Sequence, residues 1–312
     1  MPARRKIIID TDIADDIDDA IALSFALGSP EFDILGVTVV YGDVETRAKV
    51  ARKLCRTWGR PDIPVFCGFD RPVNYDWFPG TTPEPCSQRA AVAADEPLGD
   101  EARWASRFIC QAARRCPGEV TVVTLGAMTN VGAALCAEPE IAHLLAGVYS
   151  LAGSLPPHRD SGLDWNVGYD VIAARAIAAS GVKWTAIGGG AYGRGNSLRR
   201  PQFEALDAAG LPASKLLLEL VLLMNQNKLG MNHAARSIWD IQSASTCDVA
   251  ALAALLEGDR FDLQHGRIDV DQREGHLTYR YAPNGPHRWA CKPLATGSYI
   301  DEILRRLLSA PR

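Results

Sequence analysis

The sequence predicts an α/β fold: a mostly parallel central sheet with helices on both faces, doubly wound, with a β-hairpin added towards the C-terminal end. Three observations carry that expectation. Short β-branched runs alternate with helical patterns of about ten residues or more, the signature of βαβ units. Runs such as 120–124 are β-branched throughout rather than alternating with polar residues, as strands covered on both faces are. The last third then changes character, with two leucine- and alanine-rich helical stretches followed by an alternating polar–apolar segment.

The elements follow in order. Residues 6–9 form a first strand that runs into an acidic loop, and 18–27 carry a helical pattern. Strand signals recur at 32–40, 64–67, 120–124, 148–151 and 182–187. Helical patterns lie between them at 45–58, 101–115, 129–137 and 171–179. The stretch 70–97, rich in Pro, Asp and Thr, reads as an irregular loop of a length that is uncommon in compact domains and often functional. Residues 214–227 and 246–256 read as helices, 267–281 as a hairpin turning at Glu274-Gly275, and 300–308 as a short terminal helix. No internal repeat, low-complexity tract or linker divides the chain, so residues 1–312 are expected to form a single domain.

Composition excludes several classes. With 47% hydrophobic and 22% charged residues, the chain can bury a large core and does not read as disordered. A net charge of −4 argues against a nucleic-acid partner held by a broad basic surface. No apolar run approaches the roughly 20 residues of a membrane span, so no membrane partner is expected. The first ten residues hold three isoleucines between basic residues and Asp10, too short an apolar stretch for a secretory signal, which leads to the expectation of a cytoplasmic protein. None of the eight cysteines forms a Cys-x-x-Cys pair, and they are expected to be reduced thiols, mostly core filler.

The most informative stretch lies between the first strand and the first helix. It holds six aspartates within ten residues: Asp10, Asp12, Asp15, Asp16, Asp18 and Asp19. Like charges crowded at one strand end repel unless something neutralises them. One aspartate serves as a helix cap; six call for more. An all-oxygen ligand set with no His or Cys in the loop suits a hard cation, Ca²⁺ or Mg²⁺, better than zinc. An EF-hand does not fit, because its sixth and twelfth positions, counted from Asp10, hold Asp15 and Ile21 instead of Gly and Glu. Asp10-Thr11-Asp12 after a strand also resembles the opening of haloacid dehalogenase-type phosphatases, although Ala14 and the Asp18-Asp19 pair do not suit that reading.

With Asp10-Thr11-Asp12 and Asp18-Asp19-Ala20 on one loop, the chain resembles the inosine–uridine nucleoside hydrolase family, in the subgroup that carries Cys ahead of its late aspartate. Three further segments match in order: Thr124-Leu125-Gly126-Ala127-Met128-Thr129-Asn130 after a buried strand, Asp164-Trp165-Asn166 followed by Asp170, and Cys247-Asp248 at a helix start. The resemblance implies Ca²⁺-dependent cleavage of the N-glycosidic bond of ribonucleosides. It implies Asp12 as general base and metal ligand, with Asp19, Asp248 and the Leu125 carbonyl completing the calcium ligands. Asp18, Asp164 and Asn166 would bind ribose hydroxyls, and homodimers or homotetramers are common among members.

Departures from the family pattern matter too. The loop is about two residues longer, which leaves Asp15 or Asp16 as alternatives to Asp18. Asp43 stands where many members have a ribose-binding Asn, and is a candidate substrate ligand. Cys247 replaces a leaving-group His, and is a candidate catalytic helper without an adjacent Lys, Arg or His to acidify its thiol. Tyr75, Trp77, Phe78 and Trp239 are candidate base-stacking residues, His158 and His233 candidate site histidines, and 225–228 a segment that either faces the pocket or caps its helix. Two other classes stay open at this level: a non-catalytic nucleoside- or sugar-binding protein, and the phosphatase.

Overall fold

The computed structural model describes residues 3–73, 86–93, 98, 104–155, 164–192, 195–228, 234–271 and 276–311. Its centre is a nine-stranded sheet. The strands of the amino-terminal part are β1 (Arg5–Thr11), β2 (Phe32–Val39), β3 (Val65–Cys67), β4 (Val120–Thr124), β5 (Gly147–Leu151) and β6 (Trp184–Ile187). A two-stranded pair, β7 (Leu198–Arg199) with β8 (Ser243–Ala244), lies apart from the main sheet. The C-terminal strands are β9 (Leu263–Val270), β10 (Leu277–Tyr281) and β11 (His287–Ala290). The sheet order is β10-β9-β11-β6-β5-β4-β1-β2-β3. β1 to β6 and β11 run parallel, and β9 is antiparallel to both of its neighbours.

The period of two along buried strands builds a core on each face. Ile7 and Ile9 of β1 join one apolar cluster, with α1 (Asp18–Leu27), α2 (Val44–Thr57), α9 (Pro212–Asn227), α10 (Val249–Leu256) and α11 (Ile300–Leu307). Ile8 joins the other, with α3 (Ala105–Arg115), α4 (Thr129–Ala137) and α7 (Val171–Ala179). On that second face Gly132 lets α4 approach α7, since a Cβ there would stand 2.6 Å from that of Ala173. Among the described residues no helix is long and apolar enough to cross a membrane.

The expected alternation is therefore present, and so is the antiparallel β9–β10 pair, whose turn lies outside the described residues. Several elements have no counterpart in the sequence reading: α5 (Ile141–Leu144), α6 (Trp165–Tyr169), α8 (Arg200–Ala209) and β11. The strand expected from 182 begins at Trp184, and of the helix expected from 101 the described part begins at Ala105. Of the long loop at 70–97, the described part is irregular apart from one 3₁₀ turn, Arg89–Ala91.

One topological feature places the site. From β1 the chain builds outward through β2 and β3, then returns to β4 on the other side of β1. The carboxyl ends of β1 and β4 thus flank a switch point, where open α/β sheets bind ligands.

Candidate active site

Asp10 is fully buried one residue before the end of β1 and lies beneath the site. Its Oδ1 accepts hydrogen bonds from the Thr38 hydroxyl (2.5 Å) and Asn130 Nδ2 (2.7 Å). Asn130 also donates to the Val39 carbonyl and accepts from Phe69 N–H, so one amide links β1, β2 and the start of α4. Asp10 Oδ2 is buried with no partner among the described residues, and burial pushes the carboxyl up to about 7.

Beyond Thr11 the loop turns sharply. Ala14 adopts φ 90°, a left-handed conformation unusual for a residue with a Cβ, and Gln88 N–H holds its carbonyl. Asp15 is taken by the Arg47 guanidinium (3.1 Å) and Ser87 N–H (3.3 Å), and Asp16 pairs with Lys228. The two extra loop acids thus have structural partners. Asp12 is half-buried against Gly126, where a Cβ would come within 2.6 Å of its Oδ1. Burial raises its carboxyl, and the Arg47 charge pulls it back down.

Asp18 and Asp19 open α1, and Asp248 precedes α10 across the sheet end. Their carboxylate oxygens lie within 4.8 Å of one another. Asp19 accepts from the Thr11 hydroxyl and Asp18 from the Ser245 hydroxyl (3.2 Å). Asp248 stands at a helix N-terminus yet its side chain makes no capping bond. Burial, and then the charge of the neighbouring aspartates, pushes Asp18 to about 7 and holds Asp19 and Asp248 well above the usual carboxylate range. Three acids, Asp19 and Asp248 buried and Asp18 half-buried, with few donors among the described residues to satisfy them, are a donor set that fits a hard cation. The tight triad contains Asp18, where the resemblance placed Asp12 among the carboxylate ligands; Asp12 borders it as the largest charge acting on Asp19.

Around this group stand the other expected residues. The Leu125 carbonyl accepts from Asn166 Nδ2 (2.6 Å), which also donates to the Leu151 carbonyl (2.9 Å). Asp164 caps α6 through Val167 N–H (2.8 Å) and accepts from Gly153 N–H (2.6 Å); burial pushes it to about 6. Asp170 caps α7 and takes the Thr129 hydroxyl and Val73 N–H. The Cys247 thiol reaches the Gly189 carbonyl at 3.8 Å and is pushed up to about 12 by burial, then by Asp18 and Asp164.

Asp43 is exposed and caps α2, both its oxygens accepting from Thr46. Segment 225–228 makes two near ties, Asn225 to Val221 and Gln226 to Ala235, and two across the fold, Asn227 to Ser87 and Lys228 to Asp16 of the acidic loop. Trp239 lies under the Arg200 guanidinium at 5.4 Å. Tyr75, Trp77, Phe78, His158 and His233 lie outside the described residues. Sequence reasoning missed Arg47, fully buried beneath the acidic loop. A signal existed: position 47 falls on the buried stripe of α2 with Val50, Ala51 and Leu54, where a charge needs partners.

A cluster of carboxylates at the switch point of a parallel sheet defines the class: an α/β protein with an acidic cluster that could hold a metal ion. More narrowly, the chain belongs to the family described as inosine-uridine preferring nucleoside hydrolase, whose model matches residues 7–292. It is similar to "Uridine nucleosidase 1" of Arabidopsis thaliana, 31% identical over 201 residues, covering 59% of this chain and 56% of the plant protein. It is also similar to "Pyrimidine-specific ribonucleoside hydrolase RihA" of Citrobacter koseri, 26% identical over 303 residues, covering 93% and 94%. The chain spans 56–59% of the length of the plant and fission-yeast relatives it matches. Among solved structures, a "Purine-Preferring Ribonucleoside Hydrolase" from Gardnerella vaginalis shares the fold, with TM-score 0.79 at 21% identity over 98% of this chain and 99% of the other.

Proposed function

We propose that the chain is a Ca²⁺-dependent ribonucleoside hydrolase that converts a ribonucleoside and water into free base and ribose. The observation that carries this reading is the cluster of the carboxylates of Asp18, Asp19 and Asp248, the last two buried and the first half-buried, with Asp12 beside it, at the switch point. Cleaving an N-glycosidic bond leaves positive charge on the ribose ring, and carboxylates fixed around that ring stabilise it. Asp12 is assigned as the base that takes a proton from the attacking water. Asp18, Asp43, Asp164 and Asn166 are assigned to the substrate, with Asn166 also holding the Leu125 carbonyl in place. Asp19, Asp248, Asp12 and the Leu125 carbonyl would hold the cation, and the triad geometry adds Asp18. When bound, Ca²⁺ supplies positive charge that acidifies water and gathers vicinal hydroxyls. The reading extends to a single catalytic domain over 1–312 in a cytoplasmic homodimer or homotetramer.

The test is a panel of purine and pyrimidine ribonucleosides, uridine first because relatives carry that name. Base release is followed after metal stripping and after Ca²⁺ return, with a phosphate ester as control. Ca²⁺-restored base release is expected. Turnover of the ester alone would favour the phosphatase, and binding without turnover the non-catalytic protein. 2′-Deoxynucleosides lack one hydroxyl partner and should react at least about tenfold more slowly, a lost hydrogen bond to a charged group costing roughly 1.5–3 kcal/mol. Equal rates on both sugars would overturn the assigned ribose contacts.

A further inference from the structure

We propose that Arg47 is a positioning residue for Asp12, an inference that rests on the hydrolase reading for the role of Asp12 as base. The Arg47 side chain is 1% exposed, an unusual place for a charge. Its guanidinium is satisfied in a specific way. Nε donates to the Tyr41 carbonyl (2.6 Å), Nη1 to the carbonyls of Asp12 and Ile13 (2.7 Å to the latter), and Nη2 to Asp15 (3.1 Å). Three of these four acceptors belong to the loop that carries the proposed base, and the fourth to the turn after β2. The guanidinium also lies 5.2 Å from the Tyr41 ring centre.

The consequence for Asp12 is geometric. Its main-chain carbonyl is tied from beneath by Arg47, and its carboxylate rests on the Gly126 backbone, where no side chain intervenes. Two fixed points define where the carboxylate lies. Asp15, part of the longer stretch between Asp12 and Asp18, serves as the anchor that holds the guanidinium in register, and Ser87 holds Asp15 in turn. Lysine cannot reproduce this, because a single ammonium lacks the planar fork that spans Tyr41 and the loop together.

The test uses the full chain with Arg47→Gln, Arg47→Lys and Asp15→Asn, each shown to be folded by near-ultraviolet circular dichroism. With the best nucleoside of the panel, Arg47→Gln should lower kcat by about 10²-fold, the scale of an ångström misplacement. KM should stay within about threefold, because Asp18 and Asp164 are untouched. Ca²⁺ affinity measured by calorimetry without substrate should fall by about 10–100-fold, as it does when a residue supporting a metal ligand is removed. Arg47→Lys should recover part of both losses. Asp15→Asn, milder because that carboxylate is partly exposed, should move kcat and Ca²⁺ affinity in the same direction by a smaller factor.

A folded Arg47→Gln with both quantities within twofold of the parent overturns the proposal. So does a KM rise with kcat unchanged. If the arginine variants do not fold, an Asp15→Asn protein indistinguishable from the parent overturns it. Should the parent release no base from any nucleoside, the hydrolase reading fails, while the Ca²⁺ titrations still decide whether Arg47 supports the acidic loop.

Discussion

Asp10 and Asp12 stand two residues apart at one strand end and differ in surroundings. Asp10 is enclosed, and its bonds to Thr38 and Asn130 fix the base of the site. Asn130→Ala would leave buried Asp10 with the Thr38 hydroxyl alone and Phe69 N–H without its acceptor, while the Val39 carbonyl keeps Gly68 N–H. A buried group left short of a partner costs about 1–3 kcal/mol, so a loss of roughly 1–3 kcal/mol is expected by urea unfolding. A loss below about 1 kcal/mol would show that the network relaxes. Asp12 borders the cage, and Asp12→Asn should cut kcat by about 10²–10⁴-fold, the usual range for a general base. Cys247→Ala should cost a few-fold at most, because a thiol pushed up to about 12 is protonated at neutral pH and a poor proton donor. Single-turnover rates on calcium-loaded variants compare them; equal slowing would reverse these assignments. Asp18 and Asp19 were legible because the crowding of the acidic loop is a local feature of sequence, whereas Asp248, far along the chain, came only with the family resemblance. The capping contacts of Asp43 were not, because a loop acid and a helix cap look alike until the Thr46 contacts are seen. Arg47 was not, because its four acceptors lie on two separate turns.

At the scale of elements, the site is held by strand ends and the helix starts that follow them. The β4–α4 turn brings Gly126 against Asp12, and Leu125 N–H continues the pairing with β1 through the Asp10 carbonyl (2.7 Å). Gly126→Ala places a methyl 2.6 Å from Asp12 Oδ1, and the side chain must give way. The expected result is a kcat at least about tenfold lower, with thermal stability nearly unchanged, read from steady-state kinetics beside a melting curve. Unchanged kcat would mean that Asp12 is not fixed where the chemistry needs it. β1, β2 and β4 were legible because burial on both faces favours β-branched residues on each side of the strand. β11 was not: His287-Arg288-Trp289-Ala290 shows neither such a run nor alternation, and it exists as a strand because β6 and β9 flank it. The hairpin itself is a local pattern, whereas its attachment to the parallel sheet through β11 is a long-range pairing that no window of sequence displays. α6 is five residues long and contains Gly168, so it rests on the Asp164 cap more than on helical propensity.

For the whole molecule, the cage couples cation, protons and stability. Burial pushes Asp10 and Asp18 up to about 7 and Asp164 up to about 6, and holds Asp19 and Asp248 well above the usual carboxylate range. In an unfolded chain these carboxyls titrate near 3.9. The folded cation-free protein therefore binds more protons than the unfolded chain above about pH 4. That contribution is fully present below pH 4 and is lost as pH rises through about 7, where ionised aspartates repel one another. Other groups work in the opposite direction. Burial lowers His287, whose contribution is lost as pH falls below about 6.5. Glu302, held near 2 by Arg305 and Arg306, loses its contribution as pH falls from about 4.5 towards 2. Comparing melts with and without Ca²⁺ at the same pH cancels these remote groups and leaves the cage. Calcium and protons compete for the same oxygens. At Ca²⁺ near 100 times its Kd, stabilisation of about 2.7 kcal/mol is expected once the carboxyls are ionised. For a chain of this length that is a shift in melting temperature of about 4 °C. Scans of metal-stripped protein at pH 8 and pH 5 should show that shift at pH 8 and a much smaller one at pH 5, at the same total calcium. An equal shift at both values would mean that calcium binds away from the buried acids. A larger shift at pH 5 would mean that the carboxylates of Asp18, Asp19 and Asp248 are not its ligands.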